Sequence, residues 1–460
     1  MRPATLEEVA RAMGADTPEG RGTKSVLGAS TDSRTVREGD LFFALRGRTE
    51  GTDFAPEAHL RGAVATVATR RLDVPTLVVE DPLGALQRLA RWTLLREDVP
   101  SPTVVGITGT VGKTTTKDAL ATILRHAGKR VSATAGNFNN EIGLPLTVLA
   151  ADPRTEVLVL EMGATHAGDI EHLCGIAPPR VGILTAVAPA HLESFGSLEA
   201  IAATKGELAA SLPGDGSFVS PAGVPEAAIA AGRQLGRRLV FSARAGEGSD
   251  LWASDFAEDD EGLRFVAHLE GQAAEVRSPV FGTHLVEPLL AAIGGAVTLG
   301  LDLDEAARGV ARLKRSGMRG DVYRLRDDVL VYDDSYNAAS PSSMAAVLRY
   351  AAESARRQGR RLVVVLGGML ELGPAARAYH REIGELANEL GVSVLVCVGD
   401  EARWYAEAFS GRALYYPDAA DAASRMREEL RPGDYLIVKG SRGVGLDILT
   451  RKLRESLALV

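Results

Sequence analysis

The stretch VVGITGTVGKTTTK, residues 104–117, decides the fold. Residues 103–107 are a short, apolar, β-branched run, the pattern of a strand buried on both faces of a parallel sheet. A glycine-rich turn, Gly109-Thr110-Val111-Gly112, comes next. A helical pattern then opens at Lys113-Thr114-Thr115 and runs to His126. Strand, glycine turn and helix in that order make a P-loop, in which freed backbone N–H groups wrap phosphates at a helix N-terminus. Lys113 is placed to neutralise the β- and γ-phosphates of ATP, and the Thr114 hydroxyl to hold a magnesium ion. The strict pattern wants glycine at position 107, where this chain has Ile107, with Gly106 one place early.

A chain of 460 residues exceeds what one core supports and predicts about three domains. With 45% apolar and 24% charged residues, its composition is that of a soluble globular protein. The net charge of −8 argues against nucleic acid or an anionic membrane as main partner, so an anionic substrate must meet local basic groups. Cys174 and Cys397 lie in apolar surroundings and read as reduced core thiols. The N-terminus lacks a signal-type apolar region, and no apolar run approaches the ~20 residues of a membrane span. The expected location is cytoplasmic.

Upstream of the P-loop, residues 4–13 fit an amphipathic helix. Strands are expected at 41–45, 62–68 and 77–79, and helices at 54–61 and 83–95. This small α/β unit ends at a proline-rich linker near 98–102. Within it, Ser30, Asp32, Ser33 and Arg34 crowd short polar groups around one arginine, which suits a uridine-diphosphate head group. A solvated loop with an Asp32–Arg34 pair is the competing reading.

Downstream, strands at 157–160, 181–185 and 217–220 alternate with helices from Gly168 and Leu198, the signature of βαβ units. Ligands in such sheets sit at the carboxyl ends of the strands. Residues 136–143 form a loop dense in amides, with Asn137, Asn139 and Asn140. Glu161 ends its strand near the P-loop and is either a magnesium ligand or an exposed carboxylate. By position alone, His191 reads as a structural histidine and Lys205 as a solvated helical lysine. Antiparallel strands are expected over 251–280 and helices over 287–300 and 304–312. The last part predicts a hairpin at 322–332, a helix from about 341, and strands at 361–366, 393–398, 414–416 and 435–438. Lys439 and Arg442, with Ser441 between, would set two positive charges at a helix start, where a substrate anion can dock. The expected fold is α/β in three domains. They are a small N-terminal α/β domain (1–98), a central P-loop parallel-sheet domain (99–313) and a C-terminal Rossmann-like domain (314–460).

Together these pieces resemble the Mur ligase family over nearly the whole chain. The resemblance rests on Thr31-Asp-Ser-Arg34, Gly39-Asp-Leu-Phe-Phe-Ala-Leu45, Thr108-Gly-Thr-Val-Gly-Lys-Thr114, Gly136-Asn-Phe-Asn-Asn-Glu-Ile-Gly-Leu-Pro145 and Glu161-Met-Gly-Ala164. Ala190-His-Leu-Glu193, Gly317-Met-Arg319, Asp334-Ser-Tyr-Asn337, Met369-Leu-Glu-Leu-Gly373 and Lys439-Gly-Ser-Arg442 follow in order. The resemblance implies an ATP-dependent, ADP-forming ligase that joins D-alanyl-D-alanine to a UDP-N-acetylmuramoyl tripeptide through an acyl phosphate. Such an enzyme serves peptidoglycan precursor synthesis as a monomer acting on small molecules. The Asn-Phe-Asn-Asn loop and the Ser-Tyr-Asn stretch separate it from siblings that add a single amino acid. A P-loop NTPase without peptide substrate is the reading from another class. It is disfavoured by three α/β units and by the absence of an evident Walker-B aspartate.

By the same resemblance, the P-loop residues Gly109 to Thr115 bind ATP, and Glu161 and His191 hold a second magnesium. Lys205 is carbamylated and supports that metal. Arg319 contacts phosphate, Asp334 the ribose, and Asn337 lies near adenine. The family's adenine segment reads here Gly282-Thr-His-Leu-Val-Glu-Pro288, with Leu285 and Pro288 in place of two asparagines. Ala338-Ala339 adds one residue to the usual spacing, and Gly368 replaces a common aspartate.

Overall fold

The run read as a buried strand is Thr103–Thr108, third from one edge of a nine-stranded sheet in the computed structural model. The structure describes residues 1–47, 49–246, 248–259, 261–314, 320–335 and 340–456. Val157–Glu161 and Val181–Leu184 flank this strand, both parallel to it. Val131–Ala133 closes one edge, while Ser217–Pro221, Arg237–Ser242 and Leu251–Asp259 extend the sheet in parallel on the other side. Gly262–Leu269 and Gln272–Ser278 add the expected antiparallel strands beyond them. The chain builds one side of the sheet first and then crosses to the other, so the order reverses at Thr103–Thr108. A crevice opens at such a reversal, and the glycine turn emerges into it. Gly106, displaced from the strict motif, serves packing instead: a Cβ there would lie 2.9 Å from Leu208 Cδ1.

Both faces of this sheet are covered. On one, the helices Lys113–His126, Val286–Thr298 and Leu303–Val310 pack over Val105, Ile107, Val159 and Ile183. Val286–Thr298 is apolar nearly all round, and Gly295 lets it approach closely, since a Cβ there would meet Ile183 Cδ1 at 2.6 Å. Burying each large aliphatic side chain stabilises by ~1.5–3 kcal/mol. The helix is thereby anchored, and its first turn is fixed beside the P-loop. On the other face, Leu158, Leu160 and Met162 share one core with the helices Gly143–Ala150, Leu6–Met13 and Pro82–Leu95. The N-terminal unit thus shares this core, and it keeps a smaller one of its own around Val36, Phe42, Ala55, Ala58 and Ala68. It adds a four-stranded parallel sheet, Gly28–Ser30, Asp40–Phe43, Ala65–Ala68 and Thr76–Val78.

The third sheet has six strands among the described residues. Asp321–Arg324 runs antiparallel to Leu330–Asp334, which is followed in space by Tyr435–Lys439, Leu362–Gly367, Val394–Val398 and Arg412–Tyr416, all parallel. The final strand returns between two earlier ones and brings Asp334 and Lys439 into register at the carboxyl end. Among the described residues, no helix is long and apolar enough to cross a membrane.

Candidate active site

The glycine turn has the backbone a phosphate cradle needs. Gly109 and Gly112 take φ of 147° and 85°, and a Cβ on Gly109 would lie 2.1 Å from Thr185 Oγ1. Helix Lys113–His126 begins without a side-chain cap, so its first N–H groups are left for a ligand. They border a cavity of about 1260 Å³ that Thr110, Val111 and Thr115 also line, and that reaches across to the third sheet. Lys113 Nζ donates to Gly109 O at 2.7 Å, folded back over the loop. Burial pushes its pKa down, and the Glu161 carboxylate pulls it partly back.

Beside it, the Thr114 hydroxyl donates to Glu161 Oε2 at 2.8 Å, and Asn139 Nδ2 donates to Glu161 Oε1 at 2.8 Å. Glu161 is buried at its strand end. A hydroxyl and a carboxylate in contact are hard oxygen donors, which fit a magnesium ion that keeps water and phosphate oxygens as its other ligands. Among the described residues, no group of three or more His, Cys, Asp or Glu side chains could hold a metal by itself.

His191 lines the same cavity in a left-handed conformation, φ 51°. Its Nδ1 is paired with the Glu371 carboxylate from the third unit, and Glu193 N donates to Glu371 O at 3.3 Å. That pairing uses one ring nitrogen; a metal would take the other, with the carboxylate orienting the ring. Lys205 departs from the solvated reading based on position. The Leu198–Ala210 helix packs against the sheet and buries the side chain, with Nζ 5.6 Å from the Phe195 ring centroid. Burial, reinforced by the charge of Lys113, lowers its pKa to about 7.

Lys439 corrects a second expectation. It is no docking cation at a helix start but the buried last residue of its strand, with Nζ 2.6 Å from Asp334 Oδ2. The cause is the register that sets these two strand ends side by side; two ions this far from water persist as a pair. Asp334→Ala is accordingly expected to lower unfolding stability by about 3 kcal/mol, since an unpaired buried ammonium remains; urea unfolding checks it. Arg442 stays exposed at the cavity wall, while Ser441 Oγ accepts from Leu370 N at 3.1 Å.

Asn137 lines the cavity, and Asn140 does so while its Oδ1 accepts from Gly143 N at 2.9 Å, ordering the start of helix Gly143–Ala150. Ser30, Asp32, Ser33 and Arg34 lie outside this cavity. Ser30 Oγ donates to Asp32 O, and Ser33 Oγ to Glu57 Oε2. Arg34 holds the Asp32 carboxyl down to about 2 through paired hydrogen bonds on the surface. Arg319 and Asn337 lie outside the described residues. Two features escaped the sequence reading. One is Glu371 as the partner of His191, whose only signal is its place in Met369-Leu-Glu-Leu-Gly373. The other is an aromatic wall of His284, Tyr332 and Tyr350, with centroids 5.2 to 6.3 Å apart, for which no local pattern exists.

A P-loop, a carboxylate-backed threonine and a buried lysine, set between two α/β units, define a nucleotide-using enzyme whose substrates meet between domains. Residues 107–296 match the Mur ligase middle domain, and residues 318–442 the Mur ligase glutamate ligase domain. The UDP-N-acetylmuramoyl-tripeptide–D-alanyl-D-alanine ligase of Mycobacterium bovis is 38% identical, over 90% of this chain and 89% of that protein. The crystal structure of MurF from Acinetobacter baumannii superposes with a TM-score of 0.88 at 28% identity, covering 99% of both chains. That of the Thermotoga maritima MurF ligase in complex with ADP gives 0.81 at 32% identity, covering 93% of this chain and 97% of that one. The chain belongs to the Mur ligase family.

Proposed function

We infer that this chain is an ATP-dependent, ADP-forming ligase that joins D-alanyl-D-alanine to UDP-N-acetylmuramoyl tripeptide in cytoplasmic peptidoglycan precursor synthesis. The observation that carries this reading is the single cavity that collects Lys113, Thr114, Glu161 and Lys205 from the central unit and Asp334 and Arg442 from the last. Such a chamber suits a reaction in which a nucleotide and two further substrates must meet away from water.

The tripeptide carboxylate attacks the γ-phosphorus of ATP, ADP leaves, and an acyl phosphate forms. The D-alanyl-D-alanine amine then adds to the acyl carbon, and the tetrahedral intermediate collapses with loss of phosphate. Lys113 and the loop N–H groups neutralise charge on the transferring phosphoryl group. Thr114 and Glu161 would hold magnesium, which would supply charge neutralisation. Asn139 orients the Glu161 carboxylate. His191, through the ring nitrogen that Glu371 does not hold, and a carbamylated Lys205 would support a second ion. Arg319 is assigned to phosphate, Asp334 to ribose and Asn337 to the adenine neighbourhood. Residues 1–98, through Ser30, Asp32, Ser33 and Arg34, are assigned the UDP sugar, 99–313 ATP, and 314–460, through Arg442 and Ser441, the incoming dipeptide. The enzyme is taken to act as a monomer.

Coupled measurement of ADP release tests the reading. Release should require both UDP-N-acetylmuramoyl tripeptide and D-alanyl-D-alanine. Turnover with the tripeptide and a single amino acid would assign a sibling activity, and turnover with ATP alone a simple NTPase.

A further inference from the structure

The loop 368–373 of the third unit is built to present one side chain. Met369 and Leu372 are buried in that unit's core, and between them Leu370 and Glu371 stand out toward solvent. Hydrogen bonds from within the unit fix the loop's backbone. Met369 N donates to Nε2 of the buried His380 at 3.0 Å, and Leu370 N to Ser441 Oγ at 3.1 Å. Ser441 N donates in turn to Gly368 O at 3.3 Å. His380 Nδ1 donates to Ala376 O at 2.6 Å, which leaves its Nε2 to accept. The side chain so presented, Glu371, reaches into the central unit.

Its partner there is His191 Nδ1. The backbones meet as well. Glu193 N donates to Glu371 O at 3.3 Å, and a Cβ on Gly373 would lie 3.3 Å from Glu193 Cα. Both members of the pair take left-handed backbone, with φ of 51° at His191 and 66° at Glu371, which is costly for a residue other than glycine. Fold stability does not account for that cost. Both side chains are partly exposed, and exposed ion pairs contribute little to folding. Strain held on the two sides of one contact points to a function of the contact itself.

We propose that Glu371 is a positioning residue, handed from the third unit to His191, so that docking of the two units completes the second-ion site. The proposal rests on the second-ion reading of His191 and Lys205. With Nδ1 turned to a carboxylate, the ring carries its proton there, and Nε2 keeps its lone pair. Ligating histidines are oriented in this way by an acceptor on the other nitrogen, and losing it costs roughly ten- to a hundredfold in metal affinity. His191 lines the cavity together with Lys205, whereas Glu371 lies outside that lining. The carboxylate therefore acts through the ring and not on the ion. Ion affinity then depends on how the units dock, and by linkage a bound ion favours the docked arrangement.

Counting of bound manganese by electron paramagnetic resonance tests this, on the full chain with a non-hydrolysable ATP analogue and the UDP-N-acetylmuramoyl tripeptide. The unaltered chain should hold two ions. Glu371→Ala should bind the second about tenfold more weakly and the first as before. Glu371→Gln keeps an oxygen for Nδ1 and should fall between the two. The unfolding midpoint should stay in place in both variants, since the pair is exposed. Unchanged second-ion affinity in Glu371→Ala, or equal weakening of both ions, overturns the proposal. An unaltered chain that holds a single ion overturns the second-ion reading beneath it.

Discussion

Lys113→Ala should lower the rate of ADP release by about a thousandfold or more and leave the fold intact. The lysine contributes a charge at the point where the phosphoryl group is transferred, and removing a charge-neutralising group there is costly in rate. Its contribution to the fold is small by comparison. Among the described residues, Nζ bonds to the loop carbonyls of Gly109 and Thr110, and the side chain belongs to none of the buried apolar clusters. The helix behind it is held by Ala119, Leu120, Ile123 and Leu124, which the substitution does not touch. The unfolding midpoint should therefore stay in place while turnover collapses. Near-normal turnover with normal ATP affinity would remove Lys113 from the phosphoryl-transfer site.

That residue was legible because its signal is local. A P-loop needs a buried strand, glycines at positive φ and a helix start, and each leaves its mark within fifteen or so positions of sequence. The same holds for the amphipathic helix Leu6–Met13, whose Thr5–Glu8 capping box lies in its first turn. Glu161 was placed by the rule that strand ends face the crevice, and it indeed touches Thr114. Short elements were less visible. Val131–Ala133 has three residues, and Arg237–Ser242 opens on two arginines because its first half is exposed, so neither alternates as strands should. Helix Gly143–Ala150 was hidden in the amide-rich loop, since apolar residues cover all its sides and leave no helical stripe.

Lys439 and His191 were misjudged or incomplete for a different reason. Their surroundings are made by residues 105 and 180 positions away, Asp334 and Glu371. No spacing rule reaches that far. The pairing of Lys439 with Asp334 depends on a strand that returns between two earlier ones, a topological choice the periodicity of each strand does not record. The His191–Glu371 contact depends in addition on how two α/β units close on one another.

Lys205 combines both kinds of information, and it carries the second large effect. The family resemblance assigns it a carbamate; its position in the sequence argued for an ordinary exposed lysine; the fold buries it. Carbamylation requires the neutral amine, and a lysine with its usual pKa has almost none at neutral pH. Here burial and the nearby Lys113 charge lower the pKa to about 7, against the opposing pull of Glu207 and Asp169. About half of the amine is then neutral at pH 7, falling to roughly a tenth at pH 6. A protonated ammonium would repel magnesium, whereas a carbamate offers anionic oxygens of the kind it prefers. Lys205→Ala should thus lose activity roughly a hundredfold, the scale on which groups supporting a metal site act, and regain part of it with added short carboxylates. Activity of the unaltered chain should fall when carbon dioxide is stripped, return with bicarbonate, and recover more slowly at pH 6 than at pH 8. Mass spectrometry of the native protein should find the added carboxyl group under bicarbonate and lose it under acid. Full activity in Lys205→Ala with no response to carboxylate or bicarbonate would leave the lysine a buried structural residue, its lowered pKa a consequence of packing alone.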